Sequence, residues 1–252
     1  MRTKIASVAF ILGAAAATSA TAEEISVDTT IGFESRYVFR GVEYAETSFQ
    51  PAITLNYSNF YVGAWTNLPI GDDDNLASSE LDLFAGYGTD IAKGVSLDVG
   101  VTFYTYPDNA SGFLDLYKED KPGQPGTNTV EPYVGLSFDA PLSPSLYLYR
   151  DFMLDTFTLQ GAVSHSFPMT EKTSFDVGGT LGYVFDDDTG GDYLYGTATA
   201  GLSYAFTDKA SFSLGARYGG SDIAGGSIIK DSIAGTYKSS GFWWGLGFSS
   251  SF

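Results

Sequence analysis

Nine charged residues fall in stretches that otherwise alternate apolar with polar: Glu34, Arg36, Arg40, Glu80, Asp82, Asp98, Glu131, Asp176 and Arg217. In an extended chain successive side chains point to opposite faces, so these nine share the face away from the Val, Ile, Leu and Phe residues around them. Carboxylates and guanidiniums collected on the inside of a closed sheet can do one of two things. They can line a wet passage and select ions by charge, or they can pair and fill a narrow interior. Six of the nine are carboxylates, so full pairing within the set is impossible, and a wet passage lined by them would prefer cations.

The aromatic residues Tyr61, Trp65, Tyr104, Tyr106, Tyr133, Tyr193 and Tyr195 fall on the same face and could stack the rings of a solute. They could equally be anchors at a membrane interface. Two acidic runs, Asp72 to Asp74 and Asp186 to Asp188 with Asp192, offer oxygen ligands for Ca²⁺, but neither has the distal Glu of a calcium loop. They read as solvated loop charge, with divalent bridging to lipopolysaccharide phosphates as a secondary use; no metal or other cofactor is expected. The single histidine, His165, would be needed for a Ser and His lipid hydrolase. Ser164 and Ser166 lie on the opposite face of its strand, which argues against that chemistry.

The elements that would position these residues are about twelve strands, at 27–39, 51–57, 60–66, 81–87, 95–103, 130–138, 146–148, 157–163, 175–183, 194–206, 212–218 and 242–252. Compact turns at 57–59, 89–94, 169–172 and 207–209 alternate with longer polar connections near 68–79, 106–129, 186–192 and 219–241. Short turns on one side and long loops on the other are the pattern of an outer-membrane barrel, and a soluble sandwich has no reason to show it. Pro51 and Pro132 inside strand windows mark places where a ladder must be interrupted or ended.

The ends of the chain point to the same place. In the terminal strand Phe242, Trp244, Leu246, Phe248 and Phe252 share one face, and Trp243, Gly245, Gly247, Ser249 and Ser251 the other. We read Trp244, Leu246, Phe248 and the terminal Phe252 as an assembly signal for the barrel-insertion machinery. At the other end, Arg2 and Lys4 precede an apolar run from Ile5 to Ala17 and the small residues Ala20, Thr21 and Ala22. This is the pattern of a cleaved signal peptide, residues 1–22, leaving 23–252 as one barrel domain. The run is shorter than the roughly 20 residues a spanning helix needs.

The composition sets the remaining bounds. The 252 residues carry a formal charge of −17, which becomes −19 without residues 1–22, so nucleic acid is excluded as a partner. Cysteine is absent, so neither disulfides nor thiolate metal sites hold the fold. A mean hydropathy close to zero suits strands that give half their residues to a polar lumen.

The segment SRYVFRG at 35–41, a short polar hairpin, QPAITLNY at 50–57 and FYVGAWTN at 60–67 together resemble the TorF-type putative porins, small outer-membrane proteins of Gram-negative bacteria. The resemblance covers about the first third of the chain beyond residue 22. It implies an outer-membrane barrel and brings neither a defined substrate nor catalytic residues. The expectation is therefore an all-β, transmembrane, up-and-down antiparallel barrel, exported to the outer membrane, in contact with lipid and lipopolysaccharide. It would pass small cationic or neutral solutes, or else stand closed and present acidic loops to ions, lipopolysaccharide or a partner.

Overall fold

A computed structural model describes residues 25–70, 79–108, 115–116, 128–186, 191–223, 229–231 and 236–252. The expected signal peptide and the acidic residues Asp72 to Asp74, Asp187 and Asp188 lie outside them. In chain order the strands are β1 (Ile25–Glu34), β2 (Tyr37–Phe39), β3 (Val42–Ala45), β4 (Ser48–Tyr57), β5 (Phe60–Pro69), β6 (Glu80–Ala92), β7 (Val95–Thr105) and β8 (Thr129–Phe138). There follow β9 (Ser145–Asp151), β10 (Thr156–Pro168), β11 (Thr173–Asp186), β12 (Tyr193–Thr207), β13 (Ala210–Ser221), β14 (Ile229–Asp231), β15 (Thr236–Lys238) and β16 (Ser240–Ser251).

Twelve of them close into one antiparallel barrel in the order β1, β16, β13, β12, β11, β10, β9, β8, β7, β6, β5, β4. Each of the twelve expected windows is one of these strands. Closure is made by β16 against β1, with Phe248 opposite Ile31, and is finished by reciprocal backbone bonds between Val27 and Phe252 at 3.1 and 2.9 Å. The barrel sheet has no unpaired edge, which is what lets its strands cross hydrocarbon.

Outside, the barrel carries an apolar band that includes Ile53, Val62, Val101, Val134, Leu159, Leu181, Leu202 and Leu214, all exposed. Aromatic residues flank it at both rims: Tyr57, Phe60, Phe138, Phe167, Tyr204 and Phe206 near the short turns, and Phe152, Phe185, Tyr218 and Phe242 near the long connections. A band of this kind with an aromatic girdle at each interface is a lipid-facing surface. Inside, the buried residues are mostly polar. This inversion of the soluble pattern is why the alternation was so readable.

Both prolines interrupt a ladder as their missing N–H requires. The β4 to β5 register has no partners at Gln50 and Pro51, and pairing of β8 with β9 begins one residue after Pro132.

The structure corrects one boundary. The first window continues the alternation to residue 39, but β1 ends at Glu34. Tyr37–Phe39 instead pairs with Val42–Ala45 in a separate two-stranded sheet, so Arg36 and Arg40 are not on a wall strand. The physical reason is a turn. Arg40 and Gly41 both have positive φ, 47° and 76°, the signature of a two-residue type I′ hairpin, which reverses the chain there.

Candidate functional site

The β2–β3 hairpin folds into the barrel mouth at the long-loop end. Tyr37 and Ala45 are 3% and 0% exposed, although neither belongs to the wall. The Tyr37 ring sits 5.4 Å from Trp65 of β5, Phe39 lies 6.2 Å from Tyr104 of β7, and Val38 packs on Trp243 of β16. At the tip, Gly41 leaves no room for a Cβ, which would fall 2.7 Å from the Gly220 carbonyl oxygen and 2.8 Å from Tyr195 Cβ. The tip therefore rests against β13 and β12, two and three strands from β1, while Arg40 reaches β8 and β9 on the opposite side of the ring. Arg36 stays with it, donating to Glu43 at 2.8 Å.

Holding Arg40 in the left-handed region costs on the order of 1 kcal/mol. The contacts of its guanidinium offset that cost. Nη1 and Nη2 donate to the two oxygens of Glu131 on β8 at 2.7 and 2.8 Å, a bidentate pair. Tyr104 Oη donates to the same carboxylate at 3.0 Å. The guanidinium carbon lies 4.7 Å from the Phe39 ring centre and 4.8 Å from that of Tyr149 on β9, within cation–π range.

A second bidentate pair locks the wall. Arg217 of β13 donates to Glu34 of β1 at 2.6 and 2.9 Å, across the intervening β16. Glu34 reaches over Gly245 of that strand, whose missing side chain provides the space.

The other inward carboxylates have no such partner. Among the described residues no Lys or Arg is ion-paired with Glu80, Asp82, Asp98 or Asp176. Asp98 accepts from Tyr61 at 2.8 Å and Tyr147 at 3.2 Å, and Tyr61 also bonds Tyr133. Asp176, near the short-turn end, accepts from Ser166, Ser174 and Ser203 at 2.5, 2.9 and 2.6 Å. Glu80 and Asp82 are buried side by side on β6, and Asp82 Oδ1 has no hydrogen-bond partner. On the hairpin facing them, burial first and Glu80 second raise the Tyr37 hydroxyl above its ordinary range, so it remains neutral.

Of the expected aromatic residues, Tyr61, Tyr133 and Tyr195 face inward and lie over cross-strand glycines. Tyr61 covers Gly86, Tyr133 covers Gly100 and Tyr195 covers Gly182; Tyr147, which the sequence reading passed over, covers Gly135. A glycine directly opposite lets each ring lie flat along the wall. Tyr195 also donates to Gln160 at 2.7 Å. The signal was present in the sequence as Gly and Tyr on the same face of adjacent strands, but it needs the register to be seen.

The lumen is consequently two-sided. The β5–β9 wall carries carboxylates and rings, while β10–β13 present mainly Ser, Thr and Gly. Between those latter strands, below Arg217, lies a cavity of about 150 Å³ lined by Ser164, Ser166, Asp176, Thr199, Ser203 and Ser213.

His165 points outward, with its ring 4.4 Å from Phe167, on the face opposite Ser164 and Ser166. No Ser and His pair forms there. Asp192 turns back to accept from the Asp186 amide at 2.9 Å. Trp244, Phe248 and Phe252 are exposed on the outer face, with Leu246 between them on the same face.

A family model described as "Bacterial protein of unknown function (Gcw_chp)" matches residues 16–222. The chain belongs to the Gcw_chp family. No curated protein matches it in sequence. Among solved structures, this Gcw_chp chain is similar to the KdgM porin at a TM-score of 0.55 and 14% identity, over 90% of this chain and 99% of that one. A structure of KdgM porin in complex with disordered oligogalacturonate matches equally well. The NanC porin matches at a TM-score of 0.55 and 13% identity, over 89% of this chain and 98% of that one. At these identities the likeness shows the fold, a twelve-stranded barrel shared with outer-membrane porins.

Proposed function

We propose that the protein is a narrow passive channel of porin type in the outer membrane of a Gram-negative bacterium, passing small cationic or neutral solutes by diffusion and without a cofactor. The observation that carries this reading is the excess of unpaired carboxylates on an enclosed polar wall. Glu80, Asp82, Asp98 and Asp176 face the lumen with no Lys or Arg paired to them among the described residues; hydroxyls meet Asp98 and Asp176, and the remaining charge on Glu80 and Asp82 suits water or a passing cation. In this reading the β2–β3 hairpin is the constriction. The TorF-type likeness belongs to the same proposal, because residues 35–67 form the hairpin and the strands β4 and β5 that follow it. Lipid, lipopolysaccharide and the barrel-assembly machinery are the partners it implies.

One observation favours a second reading. Through Arg40 the hairpin reaches the wall opposite β1, as it would in a closed barrel whose outer loops meet ions, lipopolysaccharide or a partner. Reversal potentials of refolded residues 23–252 under a salt gradient discriminate. A cation-positive potential that falls in Asp82→Asn and Asp98→Asn supports the channel; a potential unmoved by both removes these residues from ion selection.

A further inference from the structure

Arg40 is held as a bound ligand would be. Its fork meets Glu131 squarely, Tyr104 orients the carboxylate, the Tyr149 ring covers one side, and the whole guanidinium is presented by a hairpin that makes no ladder with the wall. Beside this seat the wall carries more negative charge than Arg40 can satisfy. Asp82 is close enough to feel Glu131 electrostatically, and its Oδ1 is buried, 7% exposed as a residue, with no hydrogen-bond partner. Glu80 adjoins it without a cationic partner among the described residues. A wall built only to receive a permanent plug would match one arginine with one carboxylate and cover the rest with apolar contact.

We propose that the β6–β9 wall, with Glu131, Asp82, Glu80, Tyr104 and Tyr149, is a binding site for an organic cation bearing a guanidinium group, and that Arg40 occupies it in the absence of that solute. Solute and hairpin then exclude one another: binding lifts the tip from Glu131, and the mouth opens. The interface released is mixed: its wall side sets Glu131 among the rings of Trp65, Tyr104, Tyr149 and Trp243, and the hairpin keeps its own Arg36–Glu43 pair. Only Tyr37, Val38, Phe39 and Ala45 give up substantial apolar contact. A planar fork is favoured over an ammonium because Glu131 is met by two parallel N–H groups and a ring face. This inference deepens the channel reading by naming its solute class.

The test is calorimetric titration of the refolded protein with methylguanidinium chloride, using methylammonium chloride and sodium acetate as comparisons, beside bilayer recordings of the same samples. Arg40→Gln vacates the seat and should bind methylguanidinium at least about tenfold more tightly than wild type, where a tethered competitor acts at millimolar effective concentration. The double variant Arg40→Gln/Glu131→Gln should lose that binding, and acetate should not bind. Should Arg40→Gln fail to give a heat-modifiable barrel, Arg40→Lys keeps the charge and loses the fork, and should bind methylguanidinium between the two extremes. Equal affinity in wild type and the vacated variants, or binding that survives loss of Glu131, overturns the site. Conduction without binding sinks this inference and leaves the channel standing; binding by a protein that never conducts does the reverse.

Discussion

Removing Arg217 should be among the most damaging single changes in the wall. Its side chain and that of Glu34 are 9% and 7% exposed, and they meet through two bonds of 2.6 and 2.9 Å. Arg217→Met keeps most of the volume and leaves the Glu34 carboxylate buried without its donors, a loss of about 3–5 kcal/mol. At tenfold per 1.4 kcal/mol this is a shift of about 10² to 4 × 10³ in the unfolding equilibrium. Glu34→Leu strands the guanidinium and should cost a similar amount. The double variant, with both charges gone, should recover much of it, giving a coupling energy of at least about 2 kcal/mol. Urea unfolding in lipid vesicles, followed by tryptophan fluorescence, measures all three, and raising the salt should leave the coupling nearly intact because the pair is shielded from solvent. The reasoning fails if each single change costs less than about 1 kcal/mol and the costs add, the behaviour of an exposed pair.

Gly86→Ala places a methyl group in the Tyr61 ring and should force that ring off Asp98, costing about 1–3 kcal/mol; Gly161→Ala, whose nearest neighbours are 3.8 Å or farther, should be close to neutral in the same unfolding assay. Phe252→Ser removes a side chain that is 69% exposed, so the folded barrel should lose little stability, while the yield of barrel inserted in cells should fall sharply; equal yields would remove Phe252 from the assembly signal. The Ser79 hydroxyl first, and its amide at 2.8 Å second, hold the Asp108 carboxyl below its usual range, so the tie is complete above the ordinary value of about 3.9 and is lost as pH falls through the lower folded value. Protection of the Ser79 amide, taken relative to its intrinsic exchange rate at each pH, should drop at that lower pH in wild type, and Asp108→Asn should remove that drop.

Most of the wall was legible because a membrane barrel writes its fold in period two: Val99, Val101 and Phe103 against Asp98, Gly100 and Tyr104 states both faces of β7. The hairpin was not, because Tyr37, Phe39 and the two arginines continue that period past the end of β1, and alternation alone cannot tell a strand that stays in the wall from one that leaves it. Arg40-Gly41 between alternating residues was the available cue, since only a residue pair tolerant of positive φ makes that turn. The ion pairs were less accessible still. Arg217 and Glu34 lie 183 positions apart and meet only because β16 separates them by one strand and Gly245 clears the way.

The account rests on the lumen being a passage narrowed by an inserted hairpin. Single-channel recording of the refolded wild type beside a variant in which residues 37–45 are replaced by a short Gly-Ser turn tests this most directly. The account predicts small, cation-selective openings in wild type and a several-fold larger steady conductance in the variant. Two silent barrels, each folded and heat-modifiable, or two identical conductances, would contradict it.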